Sequence, residues 1–216
     1  MNKIYLTALF LIIGTTSLLA QPAKGMGSND PKAKVILDAV SAKLKTYKTV
    51  TSKFSIKIEN AAGKAIGTKS GSFFFKGKKY RLIATGQEIF SDGTNSWTYV
   101  KADQEVTITK TDANSTAITP QKLFTNFYDK DFLYKLNGTK GDVSEVELTP
   151  LDKTKAIFKI LLNIQNNSIV SAKFLEKSGN KYTLSISGVK PNEAIPDTTF
   201  VFDAKKYPGV EVVDLR

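Results

Sequence analysis

The sequence predicts a mainly β fold of the α+β type, with one N-terminal helix followed by a curled antiparallel sheet of about ten or eleven strands. Three observations carry this. Apolar residues recur at three- and four-residue steps only between Ala33 and Tyr47. From Thr49 onward the period drops to two, the signature of half-buried strands. Turn signals then return every 8–12 residues or so, and consecutive strands joined by tight turns form an antiparallel meander. A sheet of this many strands curls or closes rather than staying flat.

The elements follow in order. Met1 to Ala20 has the pattern of a secretory signal: Lys3 gives a positive start, Ile4 to Leu19 an apolar run, and Ala20 a small residue at the cut. The apolar run falls short of the roughly 18–20 residues that span a bilayer. Residues 21–30 read as a loose lead-in, and 21–216 as a single domain. Asp30 is a natural N-cap and Pro31 suits the first helical position, where no N–H is needed. Ile36, Leu37, Val40 and Leu44 lie on one stripe of the helix, and the stripe is the face of a lid or of a core helix.

Strands are expected near 50–59, 65–76, 80–85 and 88–91, then at 96–100 and 105–109 across the Asp92-Gly93 hairpin signal. Residues 111–119 are polar, and Thr119-Pro120 opens a short helical insert running to about Phe127. Strands resume at 132–136, 143–148, 156–164, 169–176 and 182–187, with Asn166-Asn167-Ser168 among the turns. A loop over 188–199 leads to two more strand-like stretches, Phe200 to Phe202 and Val210 to Leu215.

Composition removes whole classes of chemistry. There is no Cys and no His. Thiol nucleophiles, disulfides, cysteine zinc sites, Ser-His-Asp triads and histidine bases are therefore excluded. No P-loop, GxGxxG or GxSxG motif is present, so no cofactor is expected. The loop carboxylates Asp129, Asp131, Asp142 and Asp152 lack metal-loop spacing, which leaves neither a catalytic constellation nor a metal site. The net charge of +11 comes from 31 basic against 20 acidic residues. Most of that excess reads as solvated lysine. Arg81 and Arg216 are the two arginines, and the dispersed lysines of an exported chain argue against nucleic acid as a partner.

A curled sheet has a concave face that side chains or a ligand must fill. Phe54, Ile56, Phe73, Phe75, Leu82, Trp97 and Tyr99 are the candidates for that lining, with Ile36, Leu37, Val40 and Leu44 as the lid face. Core packing and a ligand cavity share this pattern, so both remain open from periodicity alone.

Several stretches together resemble the periplasmic lipoprotein carrier family, the LolA proteins. They are the helix-to-strand passage from Ile36 to Ile58, the strand Gly71-Ser72-Phe73-Phe74-Phe75-Lys76, and the run Ser91-Asp92-Gly93 followed by Trp97-Thr98-Tyr99. Leu148-Thr149-Pro150, Thr199 to Phe202, and Pro208-Gly209-Val210 with Asp214 complete the series in order. The resemblance implies an unclosed antiparallel β-barrel, a half-barrel with helices as its lid. It implies a soluble periplasmic monomer that shields the acyl chains of lipoproteins in an apolar cavity. Such a protein takes cargo from an inner-membrane ABC transporter and passes it to an outer-membrane receptor or the membrane surface. The sequence departs from the family at one point. Members carry Arg-Pro after the lysine that ends the aromatic strand, and that arginine closes the lid; here Gly77 and Lys78 follow Lys76, with Lys78 and Arg81 as candidate substitutes. A half-barrel sensor of envelope stress, binding lipid or protein, is the alternative. A carboxylate or lysine enzyme has no spaced pair to support it.

Overall fold

Asp30 does more than begin the helix. In the computed structural model, which describes residues 29–111, 128 and 130–216, helix α1 spans Pro31–Lys45. One Asp30 carboxylate oxygen accepts from the Lys32 N–H at 2.8 Å, and the other accepts from the Leu136 N–H at 3.0 Å. The Asp30 N–H donates to the Tyr134 carbonyl at 3.0 Å. One residue thus caps the helix and ties its start to a strand more than 100 residues away. These bonds hold the Asp30 carboxyl below its usual range, the Leu136 N–H contributing most. Lys43 and Lys45 sit in the last turn, where positive charge suits the helix dipole.

Among the described residues twelve strands follow: β1 (Thr49–Glu59), β2 (Ala65–Lys76), β3 (Lys79–Ala84), β4 (Gln87–Ser91), β5 (Asn95–Val100), β6 (Glu105–Lys110), β7 (Phe132–Lys140), β8 (Val143–Pro150), β9 (Ile157–Gln165), β10 (Ser168–Glu176), β11 (Lys181–Pro191) and β12 (Glu211–Asp214). They form one sheet in the order β12-β6-β5-β4-β3-β2-β1-β11-β10-β9-β8-β7. Two meanders, β1 to β6 and β7 to β11, join where β1 pairs antiparallel with β11. The sheet does not close on itself, because β7 and β12 are its two edges.

Among the described residues the predicted strands are all present except one, and they number twelve rather than about ten or eleven. The exception is Phe200 to Phe202. A 3-10 turn over Asp197–Phe200 takes up Phe200, with Pro196 before it in an extended conformation, and Val201 and Phe202 follow outside any strand. The last strand also departs from a pure meander: β12 pairs parallel to β6. The expected loop begins later than Gly188, because β11 runs on to Pro191 opposite Val50. The expected signal segment and the helical insert at 120–127 lie outside the described residues.

Turn chemistry follows the sequence. Asp92 accepts from the Thr94 and Asn95 N–H groups, each at 2.7 Å, and so closes the β4–β5 hairpin. Asn166 and Asn167, both at positive φ (51° and 57°), make the two-residue β9–β10 connection that left-handed backbone at both positions favours.

Pairing register sorts the side chains into two faces, because residues directly opposite in a ladder share a face. On one face Ile56, Leu184, Ala172, Leu162, Val146 and Leu136 form a single row from β1 to β7. Helix α1 packs on this face, burying Ala33, Leu37 and Val40 completely against Tyr134, Leu148, Ile160 and Leu162. The Tyr128 hydroxyl donates to Asp38 on the same helix, and its ring meets Tyr134 edge-on at 5.6 Å. A second core lies under the opposite face of β4 to β6, where Phe90, Trp97, Val106 and Ile108 are covered by Phe202, Tyr207 and Val210 from the C-terminal segment.

Candidate functional site

The helix stripe ends at Tyr47 and β1 begins two residues later, so the passage between them crosses the sheet at one end of the α1 face. There the helix no longer covers the strands. An apolar cavity of about 240 Å³ opens between Lys43, Leu44 and Tyr47 and strands β1, β2, β3, β10 and β11. Its lining follows the alternation of β1 in steps of two: Val50, Ser52, Phe54 and Ile56. Phe73 and Leu82 face each other across the β2–β3 pair, and Leu184 and Ile186 come from β11 opposite Ile56 and Phe54. Val50 and Phe54 are buried, whereas Asn167 is exposed and Val189 is 44% exposed, so the mouth lies at the β9–β10 turn and the outer part of β11.

A glycine lets this floor form. Gly71 pairs with Phe54 on one side and Ala84 on the other. A Cβ there would stand 1.8 Å from the Ile83 carbonyl oxygen and 2.9 Å from Phe54 Cζ. The bare backbone therefore allows β3 to come close and the Phe54 ring to lie over the strand.

Chemically the site is an apolar slot with a sparse polar rim. Among the described lining residues Lys43 is the sole charged one, and Ser52, Asn167, Ser168 and Tyr47 are its neutral polar neighbours. No group of three or more acidic residues that could hold a metal exists among the described residues. The arrangement can exclude water from a hydrocarbon chain.

The structure places the sequence-predicted residues as follows. Phe54, Ile56, Phe73 and Leu82 line the cavity. Phe75 shares their face and is 5% exposed, stacked behind Phe73 with ring centroids 6.4 Å apart, so it supports the wall without lining it. Trp97 and Tyr99 require correction. Register carries the cavity face from Phe73 through Leu82 and Ile89 to Thr98, which leaves Trp97 and Tyr99 on the opposite face. Both belong to the second core, Tyr99 meeting Tyr207 at 4.7 Å. Of the lid-face residues, Leu44 reaches the cavity, while Ile36, Leu37 and Val40 are committed to the core over β7 to β10.

The two substitutes considered for the family arginine are also placed. Arg81 is on the face away from the cavity, 2.6 Å from Glu88 and 4.6 Å above the Phe90 ring. Lys78 lies in the β2–β3 turn, its Cβ directly beside Gly93. Neither is among the lining residues.

Sequence reasoning missed Val50, Leu184, Ile186, Ile169 and Lys43 as lining. Val50, Leu184 and Ile186 were readable, since each alternates with a hydroxyl or charged residue inside a predicted strand. Lys43 was not: its place depends on α1 ending beside a hairpin more than 120 residues onward.

The chain is similar to several known proteins. The family model described as outer membrane lipoprotein carrier protein LolA matches residues 45–203. The outer-membrane lipoprotein carrier protein of Ralstonia nicotianae is 29% identical over 153 residues, covering 68% of this chain and 70% of that protein. The protein of the same description from Pseudomonas putida strain W619 is 26% identical over 179 residues, covering 79% and 82%. Among solved structures, an uncharacterized conserved protein from Thermus thermophilus superposes with a TM-score of 0.56 at 11% identity, covering 85% of this chain and 99% of that one, which shows a shared fold.

Proposed function

We propose, from the premise that this chain belongs to the outer membrane lipoprotein carrier protein LolA family, that it is a carrier rather than an enzyme. It holds the acyl chains of lipoproteins in the cavity between α1 and strands β1 to β3, β10 and β11. The observation that carries the reading is the cavity itself: an apolar floor of Val50, Phe54, Phe73, Leu82 and Leu184 opening to solvent at one end. Hydrocarbon exposed to water costs about 25 cal/mol per Å², so an acylated protein crossing an aqueous compartment needs such a shield.

The volume supports a carrier that loosens to load. At about 240 Å³ the cavity is below the roughly 300–1,000 Å³ of sites that enclose drug-sized ligands. A diacyl group therefore enters only as the helix end at Leu44 to Tyr47 gives way. Binding energy is spent on that opening, which keeps affinity moderate and release feasible. The carrier works in the periplasm, receiving cargo from an inner-membrane ABC transporter and delivering it to an outer-membrane receptor or to the membrane itself. No described helix is long and apolar enough to cross a membrane.

A photoreactive benzophenone amino acid at Ile186 tests this in living cells. Adducts should be acylated proteins, and removing the lipid-bearing cysteine of a captured protein should abolish its adduct. Capture of only non-acylated proteins would overturn the carrier reading.

A further inference from the structure

We infer that Lys43 makes the mouth of this cavity a subsite for an oxyanion, so that the protein takes single acyl chains ending in a carboxylate or a phosphate. The inference rests on the reading that the cavity accepts acyl chains. The Lys43 ammonium donates to the Asn166 carbonyl at 2.8 Å and to the Ser168 hydroxyl at 2.7 Å. Both acceptors are neutral, and no described carboxylate forms an ion pair with Lys43. An ammonium has three N–H donors, so one proton and the full charge remain for a ligand. The two bonds hold the amine at the rim instead of letting it extend into water, and the Asn166-Asn167 turn, which supplies the carbonyl and leads into Ser168, is itself fixed by two left-handed residues. Lys43 lies two residues before the span matched by the family model.

A chain lying along Phe54, Phe73 and Leu82 has its polar end beside Lys43, Asn167 and Ser168. A neutral head finds ordinary hydrogen bonds there. An oxyanion finds a charge-assisted one, which is worth about tenfold in affinity at a half-exposed rim.

The full chain, purified without detergent and loaded with the neutral dye Nile red, serves for competition at pH 8. The competitors are laurate, dodecyl phosphate, monolaurin as the neutral-headed chain, and inorganic phosphate. The expected result is displacement by laurate and dodecyl phosphate at about tenfold lower concentration than monolaurin, and none by phosphate. Lys43→Gln should erase the difference between the heads, and Lys43→Arg should keep it. Equal potency of laurate and monolaurin on the unmodified chain, or a preference surviving in Lys43→Gln, overturns the inference while leaving the cavity reading intact. Displacement by phosphate alone overturns it too, since the rim would then read an ion without a chain. If no chain of either kind competes, the cavity reading fails first and takes this inference with it.

Discussion

Replacing Gly71 with alanine tests the cavity floor through one methyl group. The new Cβ would stand 1.8 Å from the Ile83 carbonyl oxygen, 2.9 Å from the Ile83 carbonyl carbon and 2.9 Å from Phe54 Cζ. Cβ contacts do not form below 3.0 Å, so the carbonyl must retreat by 1.2 Å (3.0 less 1.8). Backbone cannot swing aside as a side-chain tip can. Either the β2–β3 pairing at Gly71 and Ala84 opens or β2 twists away from Phe54. Overpacking of this kind costs about 1–3 kcal/mol, and a backbone clash belongs at the upper end, about 3 kcal/mol. With a urea slope of about 2 kcal/mol per molar, the unfolding midpoint should fall by about 1.5 M. Gly67, on the same strand, has nothing within 4 Å of its hypothetical Cβ. Gly67→Ala should therefore be neutral or stabilising by up to about 1 kcal/mol. Urea unfolding followed by Trp97 fluorescence reads both variants, and Nile red uptake should drop only for Gly71→Ala. Equal midpoints for the two would refute the register that sets Gly71 between Phe54 and Ala84.

Other outcomes follow from the same structure. Leu37 is completely buried on the sheet-facing side of α1, so Leu37→Ala should lower stability by about 2–5 kcal/mol in urea unfolding. Arg81→Ala leaves Glu88 without its 2.6 Å partner and removes the cation over Phe90; a loss of about 2 kcal/mol is expected in the same assay, with chain binding retained because the residue faces away from the cavity. Burial, and then the Glu88 charge, push the Tyr207 phenol up to about 12. The fold favours its neutral form, so this contribution to stability is whole below pH 10 and is lost as pH rises towards 12. Absorbance at 295 nm should show one tyrosine ionising late, absent in Tyr207→Phe. Hydrogen bonds from Lys76, then Lys79, hold the Asp197 carboxyl at about 2. Its contribution is present above the ordinary carboxylate range and is lost as pH falls towards 2, and an NMR titration should place the Asp197 midpoint there.

The local elements were legible because local rules set them. Asp30-Pro31 fixed the helix start, strand alternation fixed which residues share a face, and Asp92-Gly93 and Asn166-Asn167 fixed hairpins. What stayed hidden was non-local. Nothing along the chain says that β1 pairs with β11, or that β12 returns parallel to β6. Alternation assigns Phe73 and Phe75 to one set and Trp97 and Tyr99 to a set of their own, but it does not say which set meets the helix. Strands β4 and β5 are apolar on the second face because Phe202 and Tyr207 cover it, so an aromatic there read equally well as cavity lining. The Phe200 to Phe202 run has strand composition, yet the prolines before it and the packing of Phe200 into the interior set a tight turn instead. The cavity floor was read from sequence in Phe54, Ile56, Phe73 and Leu82. Its mouth depended on the α1 end meeting the β9–β10 turn.

Native mass spectrometry of the full chain with a synthetic diacylated lipopeptide, beside the same peptide without acyl chains, tests the central claim most directly. The carrier account expects a one-to-one complex with the acylated peptide alone, lost when Leu184 is replaced by aspartate at the cavity floor. Equal binding of both peptides, or a complex unaffected by Leu184→Asp, would contradict it.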